Sequence, residues 1–269
     1  MTLSRRFRIK PGTTIKLADI DTKDTFGFAK GPELDAALAR NIARLDELQY
    51  LMYAERRHAL LVVLQGMDAA GKDGTIRHVI TGFNPQGCRV IPFKAPTPEE
   101  LAHDFLWRVH AVVPGLGDVA IFNRSHYEDV VTVRVRELVP PRVWKRRYGE
   151  INQFERMLAD SGVVIVKVFL HISKDEQKQR LERRLQDKTK QWKVALSDFE
   201  DRKRWKRYQR AYEDAIAQCN AEDAPWYVVP ADRKWFRNLA VSQILVDTLE
   251  ALDMKFPKPT VDLSRFKLE

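Results

Sequence analysis

Five short apolar runs alternate along the chain with longer stretches in which hydrophobic positions recur every three or four residues. Leu60-Leu61-Val62-Val63-Leu64-Gln65 is apolar at five positions of six and reads as a strand buried on both faces. Cys88–Phe93, Asp118–Phe122, Val163–Phe169 and Trp226–Val229 are four further runs of the same kind. Between them lie helical stripes. Leu34, Leu38, Ile42, Leu45, Leu48 and Met52 mark a helix over Glu33 to His58, and a shorter pattern runs from about Thr75 to Ile80. Thr97-Pro98-Glu99-Glu100 combines an N-cap, an N1 proline and a capping-box glutamate, predicting a helix that reaches about His110. A helical stretch after the third run extends to about Leu138, Pro140-Pro141 opens another to Ala159, and Lys234 to Leu252 forms a closing amphipathic helix. Capping boxes at Ser173–Glu176 and Ser197–Glu200 flag a further helical segment. Strands alternating with helices predict a parallel sheet with right-handed crossovers.

The candidate chemistry sits in the turn after the first strand, Gly66-Met67-Asp68-Ala69-Ala70-Gly71-Lys72-Asp73-Gly74. Its glycines and Gly-Lys pair have P-loop spacing. Such a turn lets backbone N–H groups and a helix N-terminus face one anion while the lysine reaches between phosphates. Gly66, Ala69, Ala70, Gly71, Lys72, Asp73 and Gly74 are therefore the candidate phosphate cradle. Two carboxylates depart from the usual pattern. Asp73 stands where a Ser or Thr would bind magnesium, and Asp68 lies inside the loop, where phosphates would repel it. A carboxylate there makes sense if it holds Mg²⁺ or orients a phosphate nucleophile. The third strand empties into Asn123-Arg124-Ser125-His126-Tyr127-Glu128-Asp129, at the sheet edge where ligands of open α/β folds sit.

Composition narrows the partner. With 44% hydrophobic and 10% aromatic residues in 269, the chain supports a full core. Its net charge of +9 points to a polyanion: nucleic acid, a membrane surface or a phosphate polymer. Residues 178–210 hold thirteen Lys or Arg against five Asp or Glu, so this segment alone nearly equals the whole surplus. Arg180, Arg183 and Arg184 fall at i, i+3, i+4, one helix face. Cys88 and Cys219 make no disulfide framework, and no Cys/His cluster suggests zinc. Nothing approaches 18 consecutive apolar residues, and no apolar run follows the basic N-terminus, so neither membrane insertion nor secretion is expected.

The segments 66–74, Asn-Pro-Gln-Gly (84–87), 123–129 and Trp192-Lys193 together resemble the polyphosphate kinase 2 family over roughly residues 30–255. That resemblance implies a thymidylate-kinase-like P-loop fold, three α/β/α layers around a parallel sheet, with a helical lid at about 174–197. It divides the chain into an N-terminal arm (1–30), a phosphotransferase domain (31–255) and a C-terminal tail (256–269). It implies Mg²⁺-dependent phosphoryl transfer from inorganic polyphosphate to AMP and/or ADP, with guanine nucleotides a further candidate. Asp68, Lys72, Arg124 and Asp129 would be catalytic, Asp68 and Asp129 the metal ligands, and Asn123, Arg124 and Glu128 the nucleotide contacts. Arg180, Arg183, Arg184 and Lys193 would bind the polymer. Many members carry Asp-Arg-Ser-Trp where this chain has Asn123-Arg124-Ser125-His126. The Asn form looks like the branch acting on nucleoside mono- and diphosphates, its metal carboxylate moved from position 123 to Asp129. His126 reads as a packing residue, and Trp192 either stacks on a base or packs. A cytoplasmic homo-oligomer, dimer or tetramer, with no nucleic-acid or membrane partner, completes the expectation. The rivals are an ATP-dependent nucleotide kinase and a P-loop nucleic-acid-binding ATPase, for which no recognition element is legible.

Overall fold

The computed structural model describes residues 2–263, so the last six residues of the expected tail lie outside the described residues. Helix α1 (Pro32–Glu55) leads into strand β1 (Ala59–Gln65), the glycine turn and α2 (Lys72–Val79). Strand β2 (Cys88–Pro92), helices α3 (Pro98–Ala102) and α4 (Trp107–His110), and strand β3 (Val119–Asn123) follow. A one-turn helix α5 (Thr132–Val135) and the long α6 (Pro141–Asp160) precede strand β4 (Val163–His171). The basic segment forms α7 (Lys174–Gln186), a turn, α8 (Leu196–Lys203) and α9 (Trp205–Gln218). Strand β5 (Trp226–Pro230) and α10 (Lys234–Glu250) close the fold.

All five apolar runs become strands of one parallel sheet, in the order β2-β3-β1-β4-β5. β1 is central and every one of its residues is buried, as its unbroken apolar run requires. The chain first winds out to β2 and β3, then jumps over β1 to β4 and β5. That reversal opens a crevice beyond the C-terminal ends of β1 and β3, which lie in register at Leu64 and Asn123. The N-terminal arm is laid over the far edge: Val228 N donates to Phe7 O and Ile9 N to Trp226 O, both at 2.9 Å. This covers the β5 edge, while the Phe7 ring packs between Phe26 and Phe236.

Several helical boundaries differ from the sequence pattern. The helix expected from Thr97 to His110 is two pieces, because the Asp104 carboxylate accepts from Leu106 N at 3.0 Å and turns the chain there. The Thr97–Glu100 box itself forms in both directions. Ser173 Oγ caps α7 through Glu176 N, but Glu176 turns to Arg180 and Arg183, and Ser173 N donates to Asp232 instead. Ser197 caps nothing: α8 starts from Ala195, and Asp198 is drawn into a 2.8 Å pair with Arg184.

One buried polar cluster anchors the loop after β3. Lys167, within β4, donates to Glu155 of α6 at 2.5 Å, to Cys219 O at 2.7 Å and to Tyr127 Oη at 3.1 Å. Glu155 also accepts from Tyr127 Oη at 2.8 Å and meets His126 Nε2 at 3.2 Å. Burial opposes ionisation of Glu155, yet Lys167 and His126 hold its carboxyl below the usual range. His126 is thus a packing residue behind the site. Glu155→Gln would leave Lys167 buried without a counter-charge, and urea denaturation at neutral pH should show a loss of about 3–5 kcal/mol. Because the Glu155 carboxyl is depressed, the stability it contributes is present above the ordinary carboxylate range (about 4.3) and vanishes as pH falls through the lower native value. A loss below about 1 kcal/mol, typical of an exposed pair, would contradict this role.

Candidate active site

The turn between β1 and α2 shows where its strain lies. Gly66 has φ +149°, and a Cβ there would meet Leu170 O of the neighbouring strand at 2.8 Å. Ala69 (φ 61°) and Arg124 (φ 64°) occupy the left-handed region without being glycine, a cost of about 1–3 kcal/mol each that concentrates at functional sites. The turn's carbonyls are all engaged away from the cavity. Lys72 Nζ donates to Gly66 O at 2.7 Å and Met67 O at 3.3 Å. Gln177 Nε2 takes Asp68 O at 3.0 Å, and Arg180 Nη1 takes Ala69 O and Ala70 O, both at 2.9 Å. With those acceptors engaged, the first N–H groups of α2 remain for an anion.

The cavity above the turn measures about 810 Å³, and eleven Lys or Arg line it against three Asp. The three acids already have partners. Arg124 Nη2 donates to Asp68 at 2.5 Å, and Asn123 Nδ2 and Lys193 Nζ reach the two oxygens of Asp73 at 2.9 and 3.2 Å. Asp198 pairs with Arg184. Asn123 fits its place because an aspartate there would face the Asp73 carboxylate. Although burial works the other way, Asn123 and Lys193 hold Asp73 below its usual pKa. The Lys193–Asp73 pair also ties the basic segment down onto the loop. The result is a cavity with a large excess of positive charge, with the basic segment drawn down onto its glycine turn.

Comparison with known proteins agrees with that geometry. The family model described as polyphosphate kinase 2 matches residues 30–257. The chain belongs to the polyphosphate kinase 2 family. An AMP/ADP-polyphosphate phosphotransferase of Meiothermus ruber is 53% identical over 267 residues, covering 98% of this chain and all of that protein. An ADP-polyphosphate phosphotransferase of Rhodopseudomonas palustris is 43% identical, covering 96% of this chain and 93% of the relative. The crystal structure of polyphosphate kinase 2 from Arthrobacter aurescens TC1 superposes with a TM-score of 0.93 at 42% identity, covering 98% of this chain and 94% of that one.

In this polyphosphate kinase 2 chain the expected site residues sort into three groups. Asp68, Lys72, Asp73, Asn123, Arg124, Arg183, Arg184 and Lys193 line the cavity with the glycine turn. Arg180 was expected on the polymer track and instead is buried in the wall. Beyond its bonds to Ala69 and Ala70 it donates to Ala231 O, Asp232 O and Glu176, so no N–H is left for a phosphate. The expected metal pair is not assembled. Asp129 faces Arg147 at 3.2 Å and Arg108 at 3.8 Å, and neither it nor Glu128 lines the cavity. Glu128 accepts from Thr132 at 2.6 Å and from Arg124 at 3.4 Å, so it positions that arginine. The turn of residues 126–129 aims Asp129 back toward α6, which the one-dimensional spacing did not reveal. Among the described residues no group of three acid, His or Cys side chains is placed to hold a metal. Mg²⁺ commonly takes only one or two protein carboxylates beside substrate phosphates, a demand Asp68 can meet. Trp192 does not pack; it is 77% exposed at the cavity rim.

Sequence reading missed Lys234 and Arg237, which also line the cavity. Their signal was present: α10 opens with basic residues and has no acid in its first turn, the wrong charge for a helix N-terminus.

Burial, followed by the nearby Arg124, pushes the Lys72 ammonium down to about 8. A bound polyanion adds favourable charge and raises it again. Anion binding at a pH near that value should therefore take up protons, and well below it should not. Calorimetric titration with tripolyphosphate in buffers of different ionisation enthalpy measures the uptake. The Lys72-dependent part should vanish in Lys72→Ala; identical uptake in wild type and variant would contradict the assignment.

Proposed function

We propose that this protein transfers phosphoryl groups from inorganic polyphosphate to AMP and ADP. One observation carries the reading: a P-loop cavity in which eleven cations face three already-paired acids, in a chain that belongs to the polyphosphate kinase 2 family. A nucleotide alone brings few charges, whereas a polymer carries about one per phosphate and matches the surplus. The relatives named for AMP/ADP and for ADP support both acceptors.

In the reaction a terminal oxygen of the acceptor nucleotide's phosphate attacks the end phosphorus of the polymer. The bridging P–O bond breaks, and the shortened chain leaves with the bond's electrons. The attacking oxygen is already ionised at neutral pH, so no general base is required, in keeping with His126 lying buried behind the site. Lys72 donates to the Gly66 and Met67 carbonyls and keeps its third N–H for the transferring phosphate. Arg124, fixed between Asp68 and Glu128, holds a second phosphate oxygen in line. We propose Mg²⁺ as cofactor, with Asp68 holding it. When bound, it would neutralise charge developing between donor and acceptor. The catalytic unit is proposed as residues 31–255 with the lid at 174–197. Cytoplasmic residence and homo-oligomeric assembly rest on the family resemblance alone.

The test is formation of ATP from ADP, and of ADP from AMP, by purified protein with polyphosphate and Mg²⁺. Phosphorylation of AMP by ATP but not by polyphosphate would overturn the reading in favour of an ATP-dependent kinase. Asp68→Asn should lower kcat by several orders of magnitude, whereas Asp129→Asn should leave the Mg²⁺ dependence of the rate unchanged. An Asp68→Asn enzyme keeping more than about a tenth of kcat, about 1.4 kcal/mol, would remove this carboxylate from the chemistry.

A further inference from the structure

Arg237 is the least expected cation in the molecule. It stands one turn into α10 and is only 2% exposed. Nε and Nη2 donate to the neutral amide of Asn238 at 3.2 and 2.8 Å. Among the described residues Nη1 has no hydrogen-bond partner, and no carboxylate pairs with the guanidinium. The charged group that acts on it is another cation: burial first, then Arg180, pushes the guanidinium down to about 9. Lys234, one turn earlier, is likewise depressed by burial and by Arg180, Arg183 and Arg237.

The guanidinium packs against the first turn of α2. A Cβ at Gly71 would sit 1.8 Å from Nη1, and one at Gly74 would sit 3.0 Å from Nη2. Gly71 (φ +112°) and Gly74 therefore leave the space that Arg237 fills. The place is electrostatically unfavourable three times over. The N-terminal ends of α2 and α10 both carry positive dipole ends, and Arg180 adds a full charge. A buried cation persists in such surroundings when an anion arrives to compensate it.

We propose that Arg237, with Lys234 and Arg183, forms a second phosphate subsite beside the P-loop, holding the polyphosphate segment next to the phosphates contacted by Lys72. This rests on the proposed polyphosphate reading and deepens it. The polymer leaves the glycine turn across Gly71 and Gly74 toward α10, so its track follows α10 and Arg183 while Arg180 stays in the wall. Phosphate oxygens accept from Nη1 and from the Lys234 ammonium. The same chemistry exists in a nucleotide's phosphates, so donor and acceptor are separated by experiment.

The variant is Arg237→Gln, read by melting temperature with and without tripolyphosphate and by KM for long polyphosphate and for ADP. Removing an uncompensated buried charge should leave the unliganded melting temperature equal to or above wild type, with the tripolyphosphate-induced rise reduced. KM for the polymer should increase on the order of tenfold to a hundredfold, as for lost hydrogen bonds to a charged group. KM for ADP should stay within about twofold, a difference of no more than about 0.4 kcal/mol. A lower unliganded melting temperature with unchanged polymer KM would make Arg237 a structural brace and overturn the proposal. A rise in the ADP constant alone would assign its phosphate to the nucleotide and overturn it too. Arg237→Lys keeps a cation but loses the fork against Gly71 and Gly74; it should give an intermediate polymer KM, and a wild-type value would count against the subsite. If wild type makes no ATP from polyphosphate yet tripolyphosphate still raises its melting temperature through Arg237, the functional reading fails and the phosphate subsite stands.

Discussion

Five consecutive carbonyls, from Gly66 to Ala70, have to be turned away from any phosphate before the glycine turn can hold one. Lys72 engages two, Gln177 one and Arg180 two. Two of these three donors come from α7, so the start of the basic segment also forms the back of the P-loop. Arg180 goes on to Ala231 and Asp232, which ties the start of α10 into the same knot. Loop, α7 and closing helix therefore share one set of buried hydrogen bonds, and removing Arg180 would orphan four carbonyls at once.

With the backbone settled in this way, the side chains decide what enters. The acids of the cavity are spoken for by Arg124, Asn123, Lys193 and Arg184, and the remaining cations keep their field. Asp73 has a double use: it replaces the hydroxyl common in P-loops and gives Lys193 of the basic segment a residue to grip. A phosphate chain can compete for Lys193, so the grip need not persist once substrate is bound. The strained backbone at Ala69 and Arg124 lies in the lining of the basic cavity.

The strands and the P-loop were legible because their signals are local. An apolar run flanked by turn residues, or glycines and a lysine at fixed spacing, needs no partner to be recognised. What escaped depended on distant contacts. Arg180 looks like any residue of a solvated basic helix until Ala69, Ala70, Ala231 and Asp232 are folded around it. The family resemblance placed a metal carboxylate at Asp129, whereas the turn at residues 126–129 sets it beside Arg147 and Arg108. The Ser197 box failed because the Asp198–Arg184 pair sets where α8 begins. Arg237 was half legible: a helix opening on cations without an acid asks what anion faces it.

The central claim is that uncompensated positive charge around the glycine turn recruits a polyanion. The most direct measurement is KM for long-chain polyphosphate and for ADP over a series of rising salt concentrations. Attraction to a polymeric anion scales with the number of charges contacted and weakens steeply with salt, as it does for nucleic-acid backbones. The account predicts a steep rise of log KM against log salt for polyphosphate and a much shallower one for ADP. Equal slopes for the two substrates would contradict it.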